Sequence, residues 1–300
     1  MTRRGWLLFS ALSVFWGIPY LFIRIAVTEL DPVVVAFGRT VLGALVLLPF
    51  ALRAGALRPL LSHWRWVLLY TGVEIVGPWV LIGHAETRLN SSTTGLLIAM
   101  VPIVAAIILT LTGQDRLGPR RITGLLVGLA GVTLLVGLDI HLDDVGAVVQ
   151  ILGVVIGYAI GPIIVARRLA GLPAIGVITA SLVIAAVVYT PFAALLRPST
   201  ASPAAIGSVV VLALVCTAAA FMVMFALIAE AGPARMTLIT YVNPAVAIVL
   251  GALVLDEPIT AGLLIGFPLI ILGSVLGTWR SAPPPEATGL DSQAAVRSEQ

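Results

Sequence analysis

Lysine is missing from this chain: all 17 of its basic residues are arginine. Charge of any kind is scarce. Only 10% of its 300 residues are charged, where a soluble globular protein carries about a quarter. So few charges cannot cover a water-facing surface of this size. With 60% of residues hydrophobic and a mean hydropathy of +1.12, the composition is that of a polytopic membrane protein. A single cysteine, Cys216, excludes an internal disulfide, and its apolar surroundings make it a small core residue. The histidines His63, His84 and His141 are scattered in or near loops, and HExxH, GxSxG and GxxxxGK[ST] do not occur. Nothing therefore points to metal-assisted or serine hydrolysis, to an ATPase or to a bound cofactor. The net charge of +3 comes from arginines in short loops and does not form a nucleic-acid-binding stripe.

What the chain does have is apolar runs long enough for a hydrocarbon core about 30 Å thick. Ten are predicted, at residues 5–27, 32–52, 65–84, 92–112, 120–137, 145–166, 173–196, 205–228, 234–254 and 259–279. The basic start MTRRGWLLF lacks a convincing small-residue cleavage site, so the first run reads as a retained span. With the N-terminus in the cytoplasm, thirteen arginines fall in cytoplasmic segments and two, Arg88 and Arg197, in outer loops. The positive-inside rule then places both termini in the cytoplasm, with the chain in the cytoplasmic (inner) membrane. The outer loops carry acids instead, as in Asp139, Asp143 and Asp144. Without recognisable ligand spacing, that cluster reads as a solvated loop and not as a metal site. Residues 281–300 are polar, proline-containing and aperiodic, and read as a disordered cytoplasmic tail.

The ten spans repeat. An offset of 142 pairs Pro102 with Pro244, Asp115 with Glu257, Gly124 with Gly266 and Gly131 with Gly273. Pro32 and Pro173 open the second span of each half, and Pro49-Phe50 and Pro191-Phe192 close it. Five spans per half is an odd number, so the halves enter the membrane from opposite sides. The expected fold is all-α and polytopic, with ten transmembrane helices as two inverted five-helix repeats, residues 1–137 and 138–280.

This pattern resembles the drug/metabolite transporter superfamily, in particular its EamA-type family. The residues that carry the resemblance are Phe15-Trp16-Gly17, Pro102 and Pro244, Asp256-Glu257-Pro258, and Gly266 with Gly273. The first half departs from it, with Gln114-Asp115-Arg116 where the second reads Asp256-Glu257-Pro258. The resemblance implies a transporter that is not an enzyme, with a small-molecule substrate and the lipid bilayer as its partners. Such proteins are associated with export of amino acids, other metabolites or toxic compounds. Alternating access, with coupling to protons, is the expected mechanism; a passive facilitator and a membrane-embedded enzyme are the rival readings.

Charged residues inside spans are the sharpest candidates, because a charge at the bilayer centre costs about 2.5–3.5 kcal/mol even on lenient scales. Arg39 and Glu74 both fall near the midplane, on consecutive antiparallel helices. They could neutralise each other as a buried pair, or face a cavity. In the cavity reading Arg39 clamps a substrate carboxylate and Glu74 is the proton-coupling group. Gly77 and Pro78 follow Glu74 by one turn and predict a kink beside it. Trp79, Trp16 and Tyr20 offer aromatic surface, with Gly17 and Pro19 kinking the first helix. In the sixth span Gly153, Gly157 and Gly161 form a close-packing stripe, which leaves Tyr158 as the cavity candidate. Tyr241 and Asn243 precede Pro244, and the Asn243 amide needs a partner on a neighbouring helix or a ligand. Glu86, between His84 and Arg88, reads as an interfacial charged cap, with a gate as the alternative. The glycines of helices five and ten (Gly124, Gly128, Gly131; Gly262, Gly266, Gly273, Gly277) suit packing within the chain or a possible homodimer face.

Overall fold

A computed structural model describes residues 2–113, 118–139, 141–196, 198–231 and 239–278. Within these residues the chain forms ten apolar helices and no strand. They are α1 Arg3–Ala26, α2 Pro32–Arg53, α3 Arg58–Glu86, α4 Ser91–Leu111, α5 Pro119–Asp139, α6 Leu142–Arg168, α7 Ala174–Leu195 and α8 Pro203–Ala231, followed by α9 Ile239–Val254 and α10 Ala261–Thr278. Eight are long and apolar enough to cross a membrane and two are shorter. Large apolar side chains such as Leu45, Leu126, Val187 and Leu264 point outward, as lipid requires of a membrane-facing surface. The start of the ninth predicted span, Asp115 and the 281–300 tail lie outside the described residues.

Two helices break just ahead of a proline, which removes a main-chain donor, while α2, α6, α7, α9 and α10 run through theirs. Helix α1 breaks at Ile18, ahead of Pro19, and α4 breaks at Ala99–Met100, ahead of Pro102. Helix α3 widens into a π-helical turn at Gly72–Val76, just before Pro78, and so carries an irregular turn where a kink was predicted. Helix α8 does the same at Leu214–Ala219 without a proline. The 142-residue offset superimposes the starts of the two π turns. The repeat therefore extends to an irregularity that no proline imposes on the second copy.

Packing across the halves is symmetric. Helix α5 lies against α10, α2 against α7 and α4 against α9, each helix against its own counterpart. Contacts of α1 with α8 and α9 are matched by contacts of α6 with α3 and α4. A pseudo-two-fold axis relating two inverted five-helix repeats requires this set of pairs. The α5–α10 contact is glycine-mediated: a Cβ on Gly273 would strike the main chain of Gly128 and Gly124, and one on Gly131 would strike Leu269 and Ile270. Gly128, Gly131, Gly266 and Gly273 thus pack within the chain, which removes these four as a reason to expect a dimer.

The even-numbered helices all begin on one face, which we call the acidic face, and carboxylates serve the amino ends of α2, α4, α8 and α10. Asp31 accepts from Val33 N at 2.8 Å on α2. Glu257 accepts from Ser91 N (2.7 Å), Ser92 N (3.0 Å) and Ser92 Oγ (2.5 Å) on α4. Glu29 accepts from Ser202 N (2.8 Å) and Oγ (2.6 Å) ahead of α8. Asp139 takes Thr260 Oγ1 and, at 3.3 Å, Gly262 N on α10. The acids of these loops therefore face the positive ends of helix dipoles, and three of them tie separate parts of the chain together. Asp139 in particular is a helix cap, where the sequence pattern read as a solvated loop.

Candidate functional site

The site lies at mid-depth, where α2, α3, α6, α7 and the π turn of α8 converge. Arg39 on α2 is 8% exposed. Its Nε donates to Thr217 Oγ1 at 2.8 Å, and its guanidinium carbon lies 3.7 Å from the centre of the Trp79 ring. Thr217 can accept there because the wide turn carries its own hydroxyl hydrogen to Leu212 O at 2.9 Å. The other guanidinium donors have no protein acceptor among the described residues. Tyr20, Tyr158, Tyr189 and Cys216 complete the electrostatic surroundings of Arg39.

Glu74 sits inside the π turn of α3. Its Oε2 is enclosed and has no hydrogen-bond partner among the described residues. Room for the carboxylate exists because residue 161 is glycine: a Cβ there would overlap Glu74 Oε2. Gly157, one turn earlier, lets α6 approach Val73 O and Pro78 in the same way. The predicted stripe on the sixth span is thus a packing face whose object is the Glu74 turn. Main-chain groups loosened by that turn and by Pro78 are met from α7, where Tyr189 OH donates to Val76 O at 2.8 Å and to Ile75 O at 3.3 Å. Tyr158 lies against the Trp79 indole, within electrostatic range of both Glu74 and Arg39.

Arg39 and Glu74 do not form an ion pair. Among the described residues the ion pairs are Arg4–Glu230 and Arg88–Asp144, both at 3.9 Å and both near helix ends. The two midplane charges belong to one neighbourhood, linked by Tyr158, yet each keeps polar capacity that the protein does not use.

The other sequence candidates have different partners. Trp16 packs edge-on to Phe221, with centroids 6.1 Å apart. The repeat offset makes this pair the counterpart of Tyr158 and Trp79, so the matching position in the other half is aromatic and uncharged. The Asn243 amide nitrogen, oriented as its neighbours require, donates to Ser13 O (3.2 Å) and Ile239 O (3.1 Å), which ties α9 to α1. Tyr241 OH donates to Ser274 O at 3.3 Å, on α10. Of the sequence candidates, Tyr20, Arg39, Glu74, Trp79 and Tyr158 are brought into one cluster.

The structure adds groups that sequence reading missed. Thr217 and Tyr189 lie in apolar runs with no local signal; only the repeat offset, which sets Cys216-Thr217 opposite Glu74-Ile75, points toward the first of them. Glu86 is a correction. The interfacial-cap reading requires exposure, whereas Glu86 is 0% exposed and His84 beside it faces out. Arg24 of α1 reaches over it and donates to the Glu86 carbonyl oxygen.

An all-α membrane protein with polar groups enclosed at mid-depth, between inverted repeats with interrupted helices, has the architecture of a transporter. The EamA-like transporter family matches residues 3–137 and again 145–279, and the chain belongs to that family. It is 25% identical over 299 residues to the uncharacterized transporter YvbV of Bacillus subtilis (strain 168), covering 96% of each chain. It is 30% identical over 253 residues to the uncharacterized inner membrane transporter YedA of Escherichia coli (strain K12), covering 80% of this chain and 79% of that one. A solved crystal structure at 19% identity shares the fold, with a TM-score of 0.66 over 93% of this chain and 98% of the other.

Proposed function

We propose that this chain is a secondary active transporter that exports a small organic metabolite, amino-acid-like or drug-like, with proton coupling through Glu74. It does so from the cytoplasmic membrane with both termini inside, and its two repeats, 1–137 and 138–280, rock about the Arg39–Glu74 neighbourhood. The observation that carries this reading is that Arg39 and Glu74 share a buried neighbourhood without pairing. A structural ion pair would have used both charges. Here the guanidinium keeps free donors suited to a substrate carboxylate, with the Trp79 ring stacked on it and Tyr158 beside that ring. A substrate ammonium group and a proton would then compete for Glu74, which is the simplest chemistry of an antiporter. Among the two substrate types this favours a zwitterion over an apolar drug.

The test is uptake into proteoliposomes with an imposed pH gradient and a mixed pool of amino acids and metabolites, with wild type and Glu74→Gln side by side. Gradient-driven accumulation in wild type, reduced to exchange or passive flux in Glu74→Gln, supports the reading. Flux in wild type that ignores the gradient makes the protein a facilitator, and normal coupling in the variant removes Glu74 as the coupling group.

A further inference from the structure

Glu86 ends α3 at the acidic face, twelve residues beyond Glu74 and roughly 18 Å along the helix. It is 0% exposed, and both carboxylate oxygens are enclosed without a hydrogen-bond partner among the described residues. Arg24 does not relieve this, because its guanidinium goes to the Glu86 main-chain carbonyl. The charged and titratable groups that face Glu86 are Tyr20 and Arg24 from α1 and Glu257 from the α9–α10 turn. The first turn of α4, capped by Glu257, carries the hydroxyls of Ser91 and Thr94, which are also buried and without a hydrogen-bond partner among the described residues. A groove of about 440 Å³ opens at this face, lined by Arg24, Thr28, Asn90, Asp256 and Glu257. Two of the groups facing Glu86 thus also line a solvent-accessible space.

An ionised carboxylate with no donor and no counter-ion in contact is strongly disfavoured in such a place, whereas a neutral carboxyl is not. We propose that Glu86 is a second proton-binding site, loaded from the acidic-face groove. Its role in transport rests on the proposed coupling through Glu74; its protonation does not. Tyr20 lies within electrostatic range of Glu86 and of Tyr158, and Tyr158 within range of Glu74.

The test needs no substrate. Infrared spectra of the full chain in a lipid film would be recorded at neutral pH for wild type, Glu86→Gln and Glu74→Gln. The expected result is a carboxylic-acid C=O band that is lost or diminished in Glu86→Gln and persists in Glu74→Gln. Should Glu86→Gln fail to fold, the Glu74→Gln spectrum alone decides, since a band there requires the second carboxyl. No acid band in Glu74→Gln, or a carboxylate band at Glu86 that shifts with sodium, overturns the proposal. An acid band lost wholly in Glu86→Gln supports Glu86 while removing the proton from Glu74, so the two readings fail separately.

Discussion

Arg39 of the first repeat is held by Thr217 of the second, with Nε donating to Oγ1 at 2.8 Å. The threonine hydroxyl is fully engaged, accepting from the arginine and donating to Leu212 O. Thr217→Val keeps the shape and removes the acceptor, leaving a buried guanidinium N–H unpaired at a cost of about 1–3 kcal/mol. We expect a lowered thermal unfolding temperature in detergent and weaker substrate binding, with Thr217→Ser recovering most of both. An unchanged melting curve would mean that Arg39 finds another acceptor when Thr217 is absent.

Glu257 accepts two main-chain N–H groups and one hydroxyl at the start of α4. It reaches them because Asp256 adopts φ 53°, a left-handed turn that aspartate tolerates better than most residues. Replacing Glu257 with alanine removes a charged cap and joins no new partner. The expected loss is about 1–2 kcal/mol, measured by thermal or denaturant unfolding in detergent. Glu257→Gln should fall between, since the amide oxygen can still accept but brings no charge to the helix dipole.

Much of this was legible in the sequence, and the gaps have physical causes. Ten spans and their repeat follow from hydropathy and a fixed offset, since a lipid-facing helix must be apolar along its whole length. Arg39 and Glu74 stood out because charge is rare in such helices. Their separation did not, because side-chain pairing depends on helix rotation, and a π turn rotates every residue after it. Glu86 was misjudged for a related reason. Position at the end of an apolar run suggests exposure, but Arg24 from α1 and the α9–α10 turn cover it, and both arrive from distant parts of the chain. The acidic loops drew a charge-count reading, whereas their hydrogen bonds to helix starts appear only once the helices are placed.

The contact between Glu29 and Ser202 lies outside the spans and should respond to pH. Hydrogen bonds from the Ser202 hydroxyl and main-chain N–H hold the Glu29 carboxyl below its ordinary value of 4.5. A carboxyl depressed in the folded state contributes stability above its unfolded value and loses it as pH falls through the folded one. The stability difference between wild type and Glu29→Gln should therefore be constant near neutrality and shrink below about pH 4.5. Thermal melts of both proteins across that range measure it, and a difference that grows on acidification would contradict the assignment.

The α5–α10 contact makes the last prediction. A Cβ on Gly273 would meet Gly128 main-chain atoms and Gly124 O, whereas one on Gly207 of α8 has nothing within 4 Å. Main chain cannot swing aside as a flexible side chain can, so Gly273→Ala must push two helices apart. Overpacking of this kind costs about 1–3 kcal/mol. Gly207→Ala meets open space in a helix interior, where alanine is favoured over glycine by about 1 kcal/mol. The two substitutions, chemically identical, should therefore move the unfolding temperature in opposite directions. Equal effects would show that α5 and α10 separate freely, and that their glycine contact does not hold the two repeats together.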